Sequence, residues 1–140
     1  MSRTRVETRA RARALQALYA WDMRGDTAQL EKVATQVWDD MAITPEERRV
    51  AGPIIRLLAS RRSDIDTQLA DVTTNWRMER IGAVERCVLR LAAAELTIGE
   101  TPPKVIIQES VTLAERYGSA ASAKFVNGVL DALARRMGRI

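Results

Sequence analysis

Arginine side chains recur at a regular spacing near the N-terminus of this sequence, and their type and spacing are suited to binding anions. Arg5, Arg9 and Arg13 follow one another at intervals of four residues, and Gln16 comes three residues later. In a helix of about 100° per residue, these four positions lie within about 80° of one another; we call them the basic strip. Arginine binds phosphate through paired N–H groups and stacks on bases, and Tyr19 flanks the strip. The spacing predicts contact with a polyanion, with a plain solvated helix face as the alternative.

The excess positive charge of the chain lies at the same end. The formal net charge is +4, and the first 24 residues hold six arginines against two acidic residues. The rest of the chain is balanced, with 16 basic and 16 acidic side chains. Because arginine carries the whole surplus, a nucleic acid is the first partner class to test.

A second candidate contact lies near the C-terminus, where an aromatic residue follows a cation. Phe125 falls roughly 80° from the centre of the apolar stripe of its predicted helix, and Lys124 precedes it. A ring at the border of core and solvent can stack on a base while the ammonium attracts a phosphate. The alternative is a residue at the edge of the core.

The residue types that support most enzyme chemistry are scarce. The sequence has no histidine, which excludes histidine-based triads and most zinc sites, and its seven glycines form no phosphate-binding loop. The single cysteine, Cys87, falls on an apolar helix, which indicates a reducing, cytoplasmic environment. We therefore expect no catalytic residue, no cofactor and no metal site. The N-terminus shows no signal-peptide pattern.

One predicted helix organises the others. Residues 81–96 are apolar on most sides, and only a narrow wedge holding Arg86, Arg90 and Ala93 suits water. Such a helix must be surrounded by other helices; at 16 residues with four charges it is too short for a membrane span. Glu95 winds onto its buried side and Arg11 onto the core side of the first helix, so we expect these two charges to pair.

Capping residues and glycines mark the remaining helices. The predicted helix starts are, in order, Thr8, Asp26 (a capping box with Gln29), Thr44, Ser63, Ile81, Pro103 and either Ser119 or Ser122. Residues 1–7 are expected to be mobile, and residues 73–80 to form a connection with Trp76 packed beneath it. Because an interior proline costs about 3 kcal/mol, Gly52-Pro53 predicts a kink or break in the third helix.

Four segments carry a resemblance to a known family. They are ARALQALYAW (12–21), NWRMERIGAVERCVLRLAAAEL (75–96), PPKVIIQESVTLAERYG (102–118) and SAKFVNGVLD (122–131). They resemble the NusB family of transcription antitermination factors, whereas residues 26–72 match only in helical pattern. The resemblance implies one all-α domain of about seven helices in two small sub-bundles, residues 8–62 and 63–140, around the central apolar helix.

The resemblance also implies a function and the residues that perform it. The family binds boxA-type single-stranded RNA of nascent ribosomal RNA together with ribosomal protein NusE, in a complex with other Nus factors and RNA polymerase. The implied RNA contacts are Arg5, Arg9, Arg11, Arg13, Gln16, Tyr19, Ser122, Lys124, Phe125 and Asn127. Glu85 and Arg90 match positions near the partner. The chain departs from the family at Glu7 and Thr8, where arginines are common, and at Ala121, where an acidic residue is common.

Two other functions remain compatible with the residues. The chain resembles the accessory RNA-binding domain that precedes the catalytic part of ribosomal RNA cytosine methyltransferases. It is also compatible with a purely protein-binding helical module, such as a homodimer that hides its basic strip.

Overall fold

The computed structural model describes residues 3–25, 27–73 and 77–140. These residues form six α-helices and one 3₁₀ turn, with no strand among them, which confirms the all-α prediction. The elements are α1 (Arg3–Met23), α2 (Leu30–Met41), α3 (Pro45–Val72), the 3₁₀ turn (Met78–Arg80), α4 (Ala83–Ile98), α5 (Pro103–Tyr117) and α6 (Ala120–Arg136). Backbone proximity divides the chain into two compact units, Met1–Ser60 and Arg61–Ile140.

In the N-terminal unit, α1 packs against α2 through an apolar stripe. Ala10, Ala14 and Leu18 recur at helical spacing and are almost fully buried, as their periodicity predicts. The buried indole of Trp38 donates from Nε1 to the backbone oxygen of Arg13 at 3.0 Å. This bond satisfies the ring N–H in the core and fixes α2 against the middle of α1.

Two helices begin elsewhere than predicted. α1 begins at Arg3 rather than Thr8, so residues 3–7 are helical, because no glycine or proline interrupts them. α2 begins at Leu30 with Gln29 at the N-cap position, so the predicted capping box does not start this helix. Asp26, the other half of that box, and Trp76 lie outside the described residues.

α3 is continuous from Pro45 to Val72 and is kinked at Arg61, two residues before Ser63, where a separate fourth helix was predicted to begin. The helix continues through Gly52 and Pro53, so the chain does not break there, and a kink at Pro53 stays a prediction. The glycine before the proline lacks the Cβ that would clash with the pyrrolidine ring, which lets the helix pass this point. The non-helical residue is Arg61, with φ −129° and ψ 25°. The described helices therefore number six rather than about seven.

In the C-terminal unit, α4, α5 and α6 pack against one another. Ten consecutive residues of α4, 87–96, are buried. The predicted water-facing wedge is therefore wrong for Arg90 and Ala93. Asp66 accepts hydrogen bonds from Nε and Nη2 of Arg90 at 2.9 and 3.0 Å, which compensates the buried charge. Ala93 is fully buried, whereas Arg86, the third residue of the wedge, is half-buried.

A glycine and a side-chain hydrogen bond terminate α4. Gly99 stops the helix with a φ of 77°, a left-handed conformation that glycine adopts without strain. Arg139 Nη1 donates to the oxygen of Leu96 at 2.6 Å and satisfies a terminal carbonyl.

Glu95 and Arg11 are each buried, as predicted, while their ion pair stays a prediction. Within the described ranges, no helix has the length and hydropathy needed to cross a membrane.

Candidate nucleic-acid interface

α1 carries the complete basic strip, because the helix starts before Arg5. Arg5 is exposed, and the side chains of Arg9 and Arg13 are 35% and 28% exposed. Gln16 is half-buried and accepts a hydrogen bond at Oε1 from Arg13 Nη1 at 3.3 Å. Tyr19, one turn further, is 42% exposed. The helix thus displays cations, an amide and an aromatic ring along one side.

A buried glutamate from the start of α3 lies against the basic strip. Glu47 Oε2 accepts a hydrogen bond from Arg13 Nε at 3.2 Å and lies 3.6 Å from Arg9 Nε. Its Oε1 accepts from the Thr44 N–H at 3.0 Å, while the Glu47 N–H donates to Thr44 Oγ1 at 3.1 Å. These reciprocal bonds form a capping box, so the predicted helix start at Thr44 is confirmed.

The surroundings of Glu47 favour its charged form. Burial raises the pKa of this carboxyl, but the hydrogen bonds from Thr44 and the charge and hydrogen bond of Arg13 outweigh it and hold the pKa below its ordinary value. At neutral pH the carboxylate therefore offsets one of the two charges on Arg9 and Arg13. The strip is less positive than the sequence alone indicates, but one carboxylate does not neutralise two guanidinium groups.

A shallow depression in the C-terminal unit gathers further candidate residues. Its volume is about 290 Å³, and it is lined by Arg80, Ile81, Gly82, Glu85, Ser119, Ala121, Ser122 and Phe125. Of these, Glu85, Ser122 and Phe125 are implied by the family resemblance. The lining offers one aromatic ring, two hydroxyl groups and one charge of each sign. Such a set can hold a planar polar group such as a nucleobase. We call this site the Phe125 depression.

Two helix starts shape the Phe125 depression. Ser119 caps α6 by accepting a hydrogen bond at Oγ from the Ser122 N–H at 3.1 Å. α4 begins after Gly82, where a Cβ would lie 2.7 Å from Glu85 Oε2, so glycine leaves room for this carboxylate. Glu85 stands in the first turn of α4, where the helix dipole stabilises a negative charge.

The remaining predicted site residues divide into exposed and buried ones. Lys124 and Asn127 are exposed on α6. Arg11 and Arg90 are 3% and 5% exposed, and Ser122 is 8% exposed. The predicted surface contacts of Arg11 with RNA and of Arg90 with the protein partner do not agree with this burial. Each guanidinium lies in the interior, where a buried charge requires a partner within the protein.

Glu47, Arg80 and Ser119 are parts of these surfaces that were not predicted as site residues. For Glu47 a signal existed, because Ala51, Ile54 and Leu58 follow it at helical spacing and are buried. The glutamate thus falls on the apolar stripe of α3, where a charge needs a partner. The identity of that partner could not be predicted, because Arg13 lies 34 residues away in the chain.

The fold and these surfaces define an all-helical protein of the nucleic-acid-binding class. Among the residues that the structure describes, no cluster of three or more potential metal ligands occurs. A model of the NusB family matches residues 8–135, and the chain belongs to that family. The family consists of transcription antitermination factors, which confirms the prediction of a non-catalytic protein that acts in antitermination.

Individual relatives match nearly the whole chain. It is 42% identical to the transcription antitermination protein NusB of Anaeromyxobacter dehalogenans over 134 residues, 94% of this chain and 92% of that protein. It is similar to the solved structure of T. maritima NusB, with a TM-score of 0.82 and 32% identity over 92% of this chain and 90% of that chain. It is also similar to a chain in the crystal structure of antitermination factors NusB and NusE in complex with double-stranded RNA, with a TM-score of 0.85 and 29% identity over 97% of this chain and 99% of that chain. These matches do not favour the methyltransferase-domain alternative.

Proposed function

We propose that this protein binds boxA-type single-stranded RNA of nascent ribosomal RNA together with NusE. The observation that carries the proposal is the pair of partly exposed guanidinium groups, Arg9 and Arg13, held in place on α1. Support comes from the family membership and from the likeness to a chain whose crystal structure contains NusB, NusE and RNA.

RNA binding divides between two surfaces. On α1, the arginines of the basic strip contact phosphates, Gln16 contacts a base edge, and Tyr19 stacks on a base. On α6, Lys124 attracts a phosphate, Asn127 supplies a polar contact, and Phe125 stacks on a base that enters the Phe125 depression. Phosphate contacts then supply affinity, whereas the amides and rings supply preference for particular bases.

NusE is assigned to the side of the Phe125 depression that Glu85 lines. A second bound protein adds contact surface for the same RNA and raises its affinity by linking two binding events. In this proposal the assembly also includes other Nus factors and RNA polymerase, and it works in the cytoplasm, where ribosomal RNA is transcribed. A homodimer that covers the basic strip is the competing state of the free protein.

Fluorescence anisotropy tests this function. A labelled boxA-type RNA, a scrambled RNA of equal length and a duplex are titrated with the protein at 50 and 200 mM salt, with and without NusE. With about four phosphate contacts, affinity falls by about 50-fold between these salt concentrations. We expect boxA-type RNA to bind best and NusE to strengthen binding.

Two results would contradict the proposal. One is an absence of RNA binding at 50 mM salt in both the presence and the absence of NusE. The other is equal affinity for all three RNAs under every condition, which would leave only a non-specific polyanion binder. Size-exclusion chromatography of the free protein, with and without RNA, reports whether RNA dissociates a dimer.

A further inference from the structure

Glu47 places a buried carboxylate beside the basic strip, and RNA binding by arginines does not require such a group. Its side chain is 3% exposed, yet its carboxylate lies against two cations of an RNA-binding strip. An anion in this position weakens the attraction of the strip for phosphate. Its presence therefore needs an explanation other than affinity.

The carboxylate is fixed before any RNA arrives. The N–H of Thr44 donates to Glu47 Oε1 at 3.0 Å, and this bond belongs to the cap that starts α3. The other oxygen, Oε2, accepts from Arg13 Nε at 3.2 Å and lies 3.6 Å from Arg9 Nε. Each guanidinium thus turns its Nε towards the buried carboxylate.

Arg13 uses one nitrogen, Nε, in a hydrogen bond to Glu47, whereas Arg9 Nε lies within ion-pair distance of the same oxygen. A guanidinium has five N–H donors, four of them on the two terminal nitrogens. Arg13 also donates from Nη1 to Gln16 Oε1 at 3.3 Å, which further fixes its plane. A planar group held at Nε keeps its terminal nitrogens oriented, and oriented donors lose less entropy when they bind phosphate.

We propose that Glu47 is the positioning residue of the basic strip: it orients Arg9 and Arg13 and limits the net charge that they offer to RNA. This inference rests on the proposed function. Because Glu47 orients the guanidinium groups, RNA affinity depends on geometry as well as on charge. Scrambled RNA therefore gains less affinity from the basic strip than boxA-type RNA does. Removing the charge of Glu47 raises general attraction to polyanions and lowers discrimination.

The substitution Glu47→Gln tests the proposal with two matched controls. The Thr44 N–H and Arg13 Nε donate to different oxygens of Glu47, and in glutamine one of these oxygens becomes an NH₂ group, which cannot accept. Glu46→Gln makes the same charge change at the exposed neighbouring position. Thr44→Ala weakens the cap but keeps the charge of Glu47, and therefore separates helix stability from charge. Circular dichroism confirms that each variant is folded at the temperature of the titrations.

The readouts are the dependence of log affinity on log salt concentration and the affinity ratio of boxA-type to scrambled RNA. For Glu47→Gln we expect the salt dependence to steepen by about 0.7, the contribution of one additional uncompensated charge on single-stranded RNA. We expect the affinity ratio to fall, with both quantities unchanged in Glu46→Gln and Thr44→Ala. If Glu47→Gln matches Glu46→Gln in both quantities, or if Thr44→Ala reproduces its effect, the proposal is wrong.

A readout without RNA distinguishes failure of this inference from failure of the proposed function. The ¹H and ¹⁵N signals of Arg13 Nε, which donates to Glu47, are expected to be resolved in the wild type and lost to exchange in Glu47→Gln. If these signals change but no variant binds RNA, the function is wrong and the positioning role stands. If they are identical in both proteins, the positioning role is wrong whatever the RNA titrations give.

Discussion

Arg13 makes three contacts within the protein in addition to its proposed contact with RNA. Its backbone oxygen accepts from Trp38, its Nε donates to Glu47, and its Nη1 donates to Gln16. Replacement by glutamate would place a second carboxylate beside the buried one and would destabilise the fold as well as RNA binding. Glutamine is the cleaner replacement, because its amide N–H can still donate to Glu47.

Phe125 is the residue at which stacking can be separated from packing. Its ring is half-buried in the wall of the Phe125 depression. Phe125→Leu keeps apolar volume but removes the aromatic face, so we expect RNA affinity to fall about tenfold, the lower range of base–aromatic stacking. Anisotropy measures the affinity, and a thermal melt within a few degrees of the wild type shows that packing persists. Unchanged affinity would place the RNA elsewhere.

Glu47 also gives stability a defined pH dependence. Its pKa is lowered in the folded protein from an ordinary value of 4.5, so the unfolded chain binds more protons as the pH falls through this region. The contribution of Glu47 is therefore complete above pH 4.5 and is lost as the pH falls through the lowered pKa. Urea unfolding of the wild type and Glu47→Gln should show a stability difference that shrinks on acidification. A difference that is constant with pH would contradict the lowered pKa.

At the scale of helices, local signals predicted most of the elements. Thr44 and Pro45 start α3, Pro103 starts α5, and Gly99 and Gly118 end α4 and α5, as their residue types indicate. The kink of α3 at Arg61 lies two residues before Ser63, where a new helix was predicted to begin, whereas the helix does not break at Pro53. Long-range pairs were also missed: Asp66 and Arg90 are 24 residues apart, and no periodicity relates them.

Loss of the ion pair between Asp66 of α3 and Arg90 of α4 is expected to destabilise the C-terminal unit strongly. The Arg90 side chain is 6% exposed, so Asp66→Asn removes the negative charge from a buried ion pair and should lower the free energy of unfolding by about 3 kcal/mol. Asp71→Asn is the control, because its pair with Arg136 is exposed and should cost less than about 1 kcal/mol. Urea denaturation measures both variants, and equal losses would contradict the assignment.

For the whole molecule, charge distribution and helix wheels predicted which residues lie on the candidate surfaces, but not the contacts that these residues make. The surplus of arginine at the N-terminus indicated the basic strip, and the wheel of the last helix placed Phe125 at the border of the core. The burial of Arg11 was predicted by its helix wheel but not by the resemblance. Burial of Arg90 and the carboxylate that organises the strip depend on tertiary contacts that a single sequence does not reveal.

A comparison of two double variants tests whether RNA binds through the basic strip. Arg9→Gln with Arg13→Gln removes the strip's two inner charges. Arg49→Gln with Arg56→Gln makes the same charge change at exposed positions of α3.

The strip variant should bind boxA-type RNA about a hundredfold more weakly than the wild type, because two charge-assisted contacts of ~1.5 kcal/mol are lost. The α3 variant should stay within about threefold of the wild type, as expected from screened charges away from the RNA. Equal RNA affinities of the two variants, measured by anisotropy at 150 mM salt, would show that RNA does not bind through the basic strip.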